Sequence, residues 1–351
     1  MDIYDAEPYG KTNWNSFVRQ NYPPVGAFMQ TWEWGEFQKA LGRKVERYII
    51  ADSPDGNRLR AAFTLVYHAL PLGNRYGYVP RGPVIAHHPY RSGYEAEILN
   101  HIRAWARLRL GHLSFMRLEP PVAANALDGS RGNFRIPPYY VQPRRNLVIP
   151  LGGNTEEITA LFHPTTRSNI KRAERRGVSA DILPYTGDPE LTLFFAMARD
   201  TIGRNGGRNA YPNPAYFRAL IQNLSPLTAI SDPSVLSLGI FRASCKGRPA
   251  AIHFVLFFGE TATYLFGASY NETLPSKAVT YLHWFALQEA KKRGFRHYDL
   301  GGIDEERWPT LTQFKRQFRG EEFQYIGNLD IPLQPMLYKT YNLIQKIRKS
   351  R

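Results

Sequence analysis

The sequence predicts an α+β protein of two domains, each a mixed sheet flanked by helices. Three observations lead there. The chain has 351 residues, more than a single hydrophobic core usually organises. Short apolar runs with strand character alternate with runs of helical period along the whole length. The second half then repeats the element order of the first: strands, a long helix, a late strand. Hydrophobic residues make up 43% of the chain, enough for full cores, which excludes a largely disordered protein. No short period recurs, so a solenoid is excluded as well.

In the first half, 32–41 reads as a helix ended by Gly42. Strands at 45–51 and 61–67 flank the turn Asp52-Ser53-Pro54-Asp55-Gly56. A further strand ends at Val79 before Pro80-Arg81-Gly82-Pro83. A helix follows over 90–110, then a strand over 113–119 stopped by Pro120-Pro121, a loop over 129–140 and a strand over 146–151. The break between domains is expected at Pro150-Leu151-Gly152-Gly153. Beyond it, 155–162 and 166–176 are helical, the second ended by Gly177 at C′. A strand at 178–183 precedes helices at 190–203 and 214–223, the latter with Asn213 as N-cap. Strands at 236–243, 249–258 and 261–268 lead to a long helix over 277–293, ended by Gly294. A short strand at 297–300 runs into Gly301-Gly302; 311–318 reads as helix and 323–331 as extended.

Charge narrows the partners. Lys and Arg number 45 against 30 Asp and Glu, a net charge of +15. Such an excess suits nucleic acid, nucleotide phosphates or an anionic membrane, and equally a basic surface kept for solubility. The single cysteine, Cys245, excludes an intrachain disulfide framework and a cysteine-based zinc site, and fits a reducing compartment. The nine histidines are scattered without metal-ligand spacing, so no metal is expected. The acidic start Met1-Asp2-Ile3-Tyr4-Asp5 lacks an apolar h-region and does not read as a secretory signal. No apolar run approaches the ~20 residues of a membrane span. The last sixteen residues are different: Lys339, Lys346, Arg348, Lys349 and Arg351 accompany Leu337, Tyr341, Ile344 and Ile347 at helical spacing. This is a basic amphipathic helix, read either as docked on the core or as touching anionic lipid.

Familiar catalytic signatures are missing. There is no GxxxxGK[ST], HExxH, GxSxG or GxGxxG. Coenzyme A enzymes cradle a pyrophosphate in an Arg/Gln-x-x-Gly-x-Gly/Ala turn that opens a helix. The nearest string, Arg204-Asn205-Gly206-Gly207-Arg208-Asn209, follows a helix and lacks the last small residue, which disfavours a coenzyme A site.

Four segments carry a resemblance when taken in order. They are Tyr78-Val79-Pro80-Arg81-Gly82-Pro83-Val84; Gln142-Pro143 before an apolar strand; 163–178, beginning His163-Pro164-Thr165-Thr166-Arg167; and a final set. That set is Tyr264-Leu265-Phe266-Gly267-Ala268-Ser269, Trp284, Tyr298-Asp299-Leu300-Gly301-Gly302-Ile303 and Phe314-Lys315. From about Trp34 to Phe318 the chain resembles the FemABX family of peptidoglycan-bridge aminoacyltransferases. The resemblance implies two tandem GNAT-like domains without coenzyme A or other cofactor. With no heptad segment between Leu183 and Leu236, it implies the compact FemX type without a coiled-coil arm. Domain 1 would then be 1–150, completed by 329–351, and domain 2 would be 151–328. The implied activity moves an amino acid from aminoacyl-tRNA to the stem-peptide amine of a UDP-linked or lipid-linked precursor. The implied setting is the cytoplasm, with peripheral contact at the inner face of the plasma membrane as an option, and the chain acting as a monomer. The alternative is a coenzyme A-dependent N-acyltransferase on a cell-envelope or polysaccharide substrate.

The resemblance also proposes site residues. Lys315 would stabilise the oxyanion formed when an amine attacks the aminoacyl ester, a task suited to a compact cation. Phe314 beside it would pack on the adenosine end of the donor or fill the core. Arg204 and Arg208, in a glycine-rich turn, suit phosphate or carboxylate, with Tyr211 and Tyr216 flanking the same cleft. Tyr264 would offer its hydroxyl to the precursor. Glu119 stands where the family usually has aspartate. Gln38 stands where it often has a phosphate-binding lysine, with Lys39 adjacent but turned about 100° away. Arg167, Lys171 and Arg175 share one helical face, a candidate track for tRNA phosphates. Asp299 reads as a turn former, and no protein base is apparent.

Overall fold

The computed structural model of the protein describes residues 1–88, 93–122, 131–184, 188–204, 206–207, 209, 211–228 and 232–349. In chain order the first elements are β1 (Asp2–Asp5), α1 (Lys11–Asn21), α2 (Trp32–Ala40), β2 (Val45–Ala51), β3 (Ala61–Ala69), β4 (Arg75–Val79), β5 (Val84–Ile85), α3 (Tyr94–Arg109) and β6 (Phe115–Leu118). Then come β7 (Arg145–Pro150), α4 (Thr155–Leu161), α5 (Pro164–Arg175), β8 (Val178–Leu183), α6 (Asp188–Arg204), α7 (Pro214–Asn223), β9 (Ser225–Pro226), β10 (Ser237–Cys245), β11 (Arg248–Phe258) and β12 (Thr261–Ser269). The chain finishes with α8 (Ala278–Lys292), β13 (His297–Ile303), α9 (Pro309–Arg316), β14 (Glu321–Gln324), β15 (Leu329–Pro332) and α10 (Pro335–Lys349).

One unit comprises Met1–Arg144 and Gln324–Arg351. Its sheet runs β1-β2-β3-β4-β6-β15, with β5 against β3. Strand β3 is apolar along almost its whole length because both its faces are covered. The long helix α3 starts after Gly93, at φ 77, and buries Ile98, Leu99, Ile102 and Ala106 on one stripe. The second unit is Arg145–Phe323, with sheet order β14-β7-β13-β12-β11-β10-β8. Here α8 buries Leu282, Trp284, Ala286 and Leu287.

The two sheets share one signature. In the first, β2, β3 and β4 are antiparallel, and α3 then leads to β6, which lies parallel to β4. In the second, β10, β11 and β12 are antiparallel, and α8 leads to β13, parallel to β12. The parallel pairs are short. β12 and β13 pair only from Thr261↔His297 to Thr263↔Asp299, although both strands continue. The sheet therefore opens beyond Asp299, and side chains from β12 and β13 are free to converge there.

Several boundaries differ from the sequence expectation. The break falls before Arg145 rather than after Pro150, because the strand at 145–150 pairs antiparallel with β13 and belongs to the second sheet. The stretch 323–331, read as one extended run, separates into β14 in one sheet and β15 in the other. The expected helix over 90–110 begins at Tyr94; 89–92 lie outside the described residues, as do 123–130 in the expected loop. Strand β1 and helix α1 were not foreseen. Helix α1 buries Trp14, Phe17 and Val18, but Lys, Asn, Ser and Gln dominate the rest and hide its period.

The C-terminal return closes the first sheet. β15 pairs antiparallel with β6. Arg117 Nε and Nη2 each donate to an Asp330 carboxylate oxygen at 2.7 Å, with both residues fully buried. Tyr139 Oη accepts from Arg117 at 3.0 Å, and Tyr338 Oη donates to Asp330 at 3.0 Å. From α10, Tyr338 and Tyr341 pack on Phe115, and Tyr341 also on Tyr76. Among the described residues, no helix is long and apolar enough to cross a membrane.

Candidate functional site

The opened end of the second sheet gathers Lys315, Tyr264, His253, His283, Asp299 and the Gly301-Gly302 turn. Helix α9 is short, entered through Pro309 at its first turn, and it buries Thr312 and Lys315. Lys315 is 4% exposed, and its Nζ donates to the carbonyl oxygen of Gly302 at 2.7 Å. The same nitrogen stands 6.0 Å from the centre of the Tyr264 ring. Burial lowers the Lys315 amine to about 8, while Asp299 pulls the other way.

Backbone conformation makes this approach feasible. Gly301 has φ +79, and a Cβ there would lie 3.6 Å from Lys315 Nζ and 3.4 Å from the Tyr264 carbonyl. Asp299 is fully buried and holds the turn: Oδ1 accepts from the Gly301 N–H at 2.7 Å, and Oδ2 from Asn146 Nδ2 at 2.9 Å. That arrangement agrees with its expected role in shaping the turn.

Behind Tyr264 lies a buried layer that the sequence reading missed. His253 and His283 are both buried, with ring centres 4.3 Å apart, and each packs against Tyr264, at 4.9 and 4.6 Å. His283 Nδ1 is 3.3 Å from Tyr298 Oη, and its ring lies 5.8 Å from Phe314. Burial pushes His253 down to about 3 and His283 well below the ordinary histidine range, the latter also through His253 and Lys315. Both imidazoles are therefore neutral and only weakly basic at neutral pH. Their signal in the sequence was a lone histidine inside the apolar run of β11 and another on the apolar face of α8. Gly267 completes the layer: a Cβ there would meet Tyr264 Oη at 2.3 Å and His253 Cδ2 at 2.7 Å. Glycine is what lets the tyrosine ring lie flat along its own strand.

The remaining candidates have mixed fates. Phe314 is half-buried, packs on His283 and Phe318, and joins the core of the second unit. Arg204, at the end of α6, donates to the Ser269 carbonyl at 3.0 Å, Ser269 Oγ at 2.9 Å, Thr201 Oγ1 at 3.0 Å and Asn271 Oδ1. Its fork thus clamps the end of β12. Tyr211 donates to the Gly267 carbonyl at 2.6 Å, and Tyr211 and Tyr216 both pack on Phe266. Arg208 lies outside the described residues. In the first unit, Glu119 is buried and accepts from Tyr78 Oη and from the N–H groups of Arg81 and Gln142. It therefore ties the Pro80–Pro83 turn to the segment before Pro143. Lys39 pairs with Glu36 at 3.0 Å and Glu7 at 3.8 Å, surface ion pairs that a phosphate would have to displace. Arg167 turns back to donate to the carbonyls of Ala160 and Phe162, at 2.9 and 2.6 Å, capping α4. Of the three residues on that face, Lys171 and Arg175 alone stay exposed. Among the described residues no cluster of three or more His, Cys, Asp or Glu could hold a metal.

Residues 243–346, which include Tyr264, Asp299, Gly301 and Lys315, match the model of the FemAB family. Over 95% of its length the chain is 20% identical to a lipid II:glycine glycyltransferase of Staphylococcus epidermidis, covering 93% of that protein. It is 22% identical to the Staphylococcus aureus enzyme of the same name at the same coverage. A crystal structure of FemX superposes with a TM-score of 0.77 at 18% identity, over 97% of this chain and all of the other. A tandem GNAT protein from the clavulanic acid pathway gives 0.52 at 11% identity, over 95% and 98% of the two chains. Between β8 and β10 the described helices are α6 and α7, and no coiled-coil arm is formed among those residues. The FemAB family match thus takes in the lysine-bearing end of the second sheet, and the two sheets of one signature give the chain the fold of FemX and of a tandem GNAT protein.

Proposed function

We propose that this chain is an aminoacyltransferase that moves an amino acid from aminoacyl-tRNA to the stem-peptide amine of a peptidoglycan precursor. The observation that carries the reading is the buried Lys315 amine, held by the Gly302 carbonyl at the opened end of β12 and β13. In the reaction the acceptor amine adds to the ester carbonyl, charge collects on the carbonyl oxygen, and the terminal ribose oxygen leaves. A fixed cation beside that oxygen lowers the barrier because it needs no reorganisation as charge develops. The relatives' action on lipid II supports a precursor as acceptor, and the net charge of +15 supports polyanionic partners on both sides of the reaction. An aminoacyl-tRNA donor sets the reaction in the cytoplasm. The buried histidines are too weakly basic to take the ammonium proton, which leaves substrate groups or water as its acceptor.

The test is to incubate the protein with charged tRNA pools, or with acyl-CoA mixtures, and with UDP-linked or lipid-linked precursor, then weigh the precursor by mass spectrometry. An aminoacyl increment that requires charged tRNA is expected. An acyl increment that requires coenzyme A thioester, or no increment from any donor, overturns the reading.

A further inference from the structure

We propose that one end of the first unit is a docking face for an anionic lipid bilayer, built around α10. Tyr338 and Tyr341 hold α10 against Phe115, which turns the opposite side of the helix outward. That side carries Met336, Leu343 and Ile347, at seven- and four-residue spacing, exposed by 84%, 59% and 50%. Lys339 and Lys346 line one edge of the stripe and are exposed. Aliphatic groups edged by lysines are what an interfacial helix presents to a membrane, the stems lying along the apolar surface and the ammonium groups reaching the headgroups.

Two further segments meet α10 at the same end. The Ser114 N–H donates to the Arg75 carbonyl at 2.8 Å, and the Ser114 carbonyl accepts from Leu333 and Gln334 at 3.1 and 2.9 Å. Gln334 Nε2 donates to the Gly111 carbonyl at 3.0 Å. The turn before Arg75 therefore neighbours the start of α10, as does the turn that follows α3. Each offers a bare leucine: Leu72 is 97% exposed and Leu108 is 84% exposed. Leu72 also holds φ 60, a left-handed conformation that an aliphatic residue rarely adopts, at the tip of its turn. Arg75, Arg107 and Arg109 are exposed beside them. Across 70–76, 107–114 and 333–349 there is no Asp or Glu. Isolated exposed leucines are ordinary, but five aliphatic groups on three contiguous segments, ringed by cations and free of carboxylates, form a patch with a chemical preference. Charge alone would suit RNA; the aliphatic content selects lipid, since single-stranded RNA is gripped mainly through aromatic stacking and phosphate contacts.

The face is independent of the transferase reading: its vesicle assay contains no precursor or tRNA, and tRNA enters only as a separate competing ligand. The full chain is sedimented with phosphatidylcholine vesicles, with and without ~30% phosphatidylglycerol, at low and high salt. Binding to the anionic vesicles that weakens with salt is expected, with little binding to phosphatidylcholine alone. Two variants separate the contributions: Leu343→Ser with Ile347→Ser, and Lys339→Glu with Lys346→Glu. Each should weaken vesicle binding by about tenfold or more while circular dichroism and melting stay as in the parent, because these side chains are exposed. Three outcomes overturn the proposal: no binding to anionic vesicles, serine variants that bind as tightly as the parent, or a face whose glutamate variants lose tRNA affinity while the serine variants keep vesicle affinity.

Discussion

Lys315 Nζ and the Gly302 carbonyl oxygen lie 2.7 Å apart, so an amine from α9 is held by the backbone of β13 where that strand parts from β12. The bond explains how a short helix can aim a cation with accuracy: the lysine stem is buried and its head has one fixed acceptor. It also makes the site sensitive to small changes in the layer beneath.

Gly267→Ala is the smallest such change. The new Cβ would stand 2.3 Å from Tyr264 Oη, so the ring must move. We expect a loss of about 1–3 kcal/mol in chemical denaturation, as overpacking typically costs, together with a fall in turnover. Tyr264→Phe removes the clashing oxygen, so the double variant should lose less than the sum of the two singles. Strict additivity would contradict this packing.

Rate against pH reports on Lys315. Its amine sits at about 8 through burial, opposed by Asp299. If the cation is needed, the single-turnover rate should fall as pH rises through about 8, well below the ordinary lysine range. Asp299→Asn removes the opposing charge and should move that limb to lower pH. The stability sign is fixed too. With the folded value below the unfolded one, this lysine favours the folded state most above the unfolded pKa, and that contribution is lost as pH falls through about 8. An alkaline limb that stays put in Asp299→Asn would argue against Lys315 as its source.

Asp330→Ala should be severe. It leaves Arg117 charged and fully buried without its carboxylate, a loss of about 3–5 kcal/mol. Hydrogen exchange should show β15 and α10 losing protection, since the pair joins β6 to the returning strand. Joint replacement of Arg117 and Asp330 by Met and Leu should recover much of the stability. A loss under 1 kcal/mol in Asp330→Ala would mean the pair is dispensable.

For donor binding, Lys171→Glu with Arg175→Glu should weaken tRNA affinity and flatten its salt dependence by about one counterion per lost phosphate contact. Arg167→Ala should instead lower melting temperature with little change in tRNA affinity, because its guanidinium caps α4. An unchanged salt slope in the glutamate pair would remove this face from donor binding.

Much of the architecture was legible because helices and strands here carry strong periods and glycine stops, such as Gly177 at φ 73 after α5. The break between units was misjudged because the strand at 145–150 has no local mark of which sheet it joins; its partner, β13, is about 150 residues away. The Phe314-Lys315 pair could be found through resemblance, but its partners could not. His253 and His283 look like ordinary core residues until the fold stacks them under Tyr264. Arg204, Arg167 and Lys39 read as open cations, yet each meets a carbonyl or carboxylate supplied by the folded chain. Sequence spacing gives a side chain's neighbours on its own element and says little about acceptors brought from elsewhere.

The most direct test is single-turnover transfer by Lys315→Met at saturating precursor. Methionine keeps most of the stem volume. Loss of the bond to Gly302 is offset by relief of a buried charge, so the melting temperature should stay within a few degrees. We expect the transfer step to slow by about a hundredfold to a thousandfold, roughly 2.7–4 kcal/mol, with precursor binding retained and poor rescue by Lys315→Arg. A folded Lys315→Met protein that transfers within a few fold of the parent rate would contradict the assignment of this lysine.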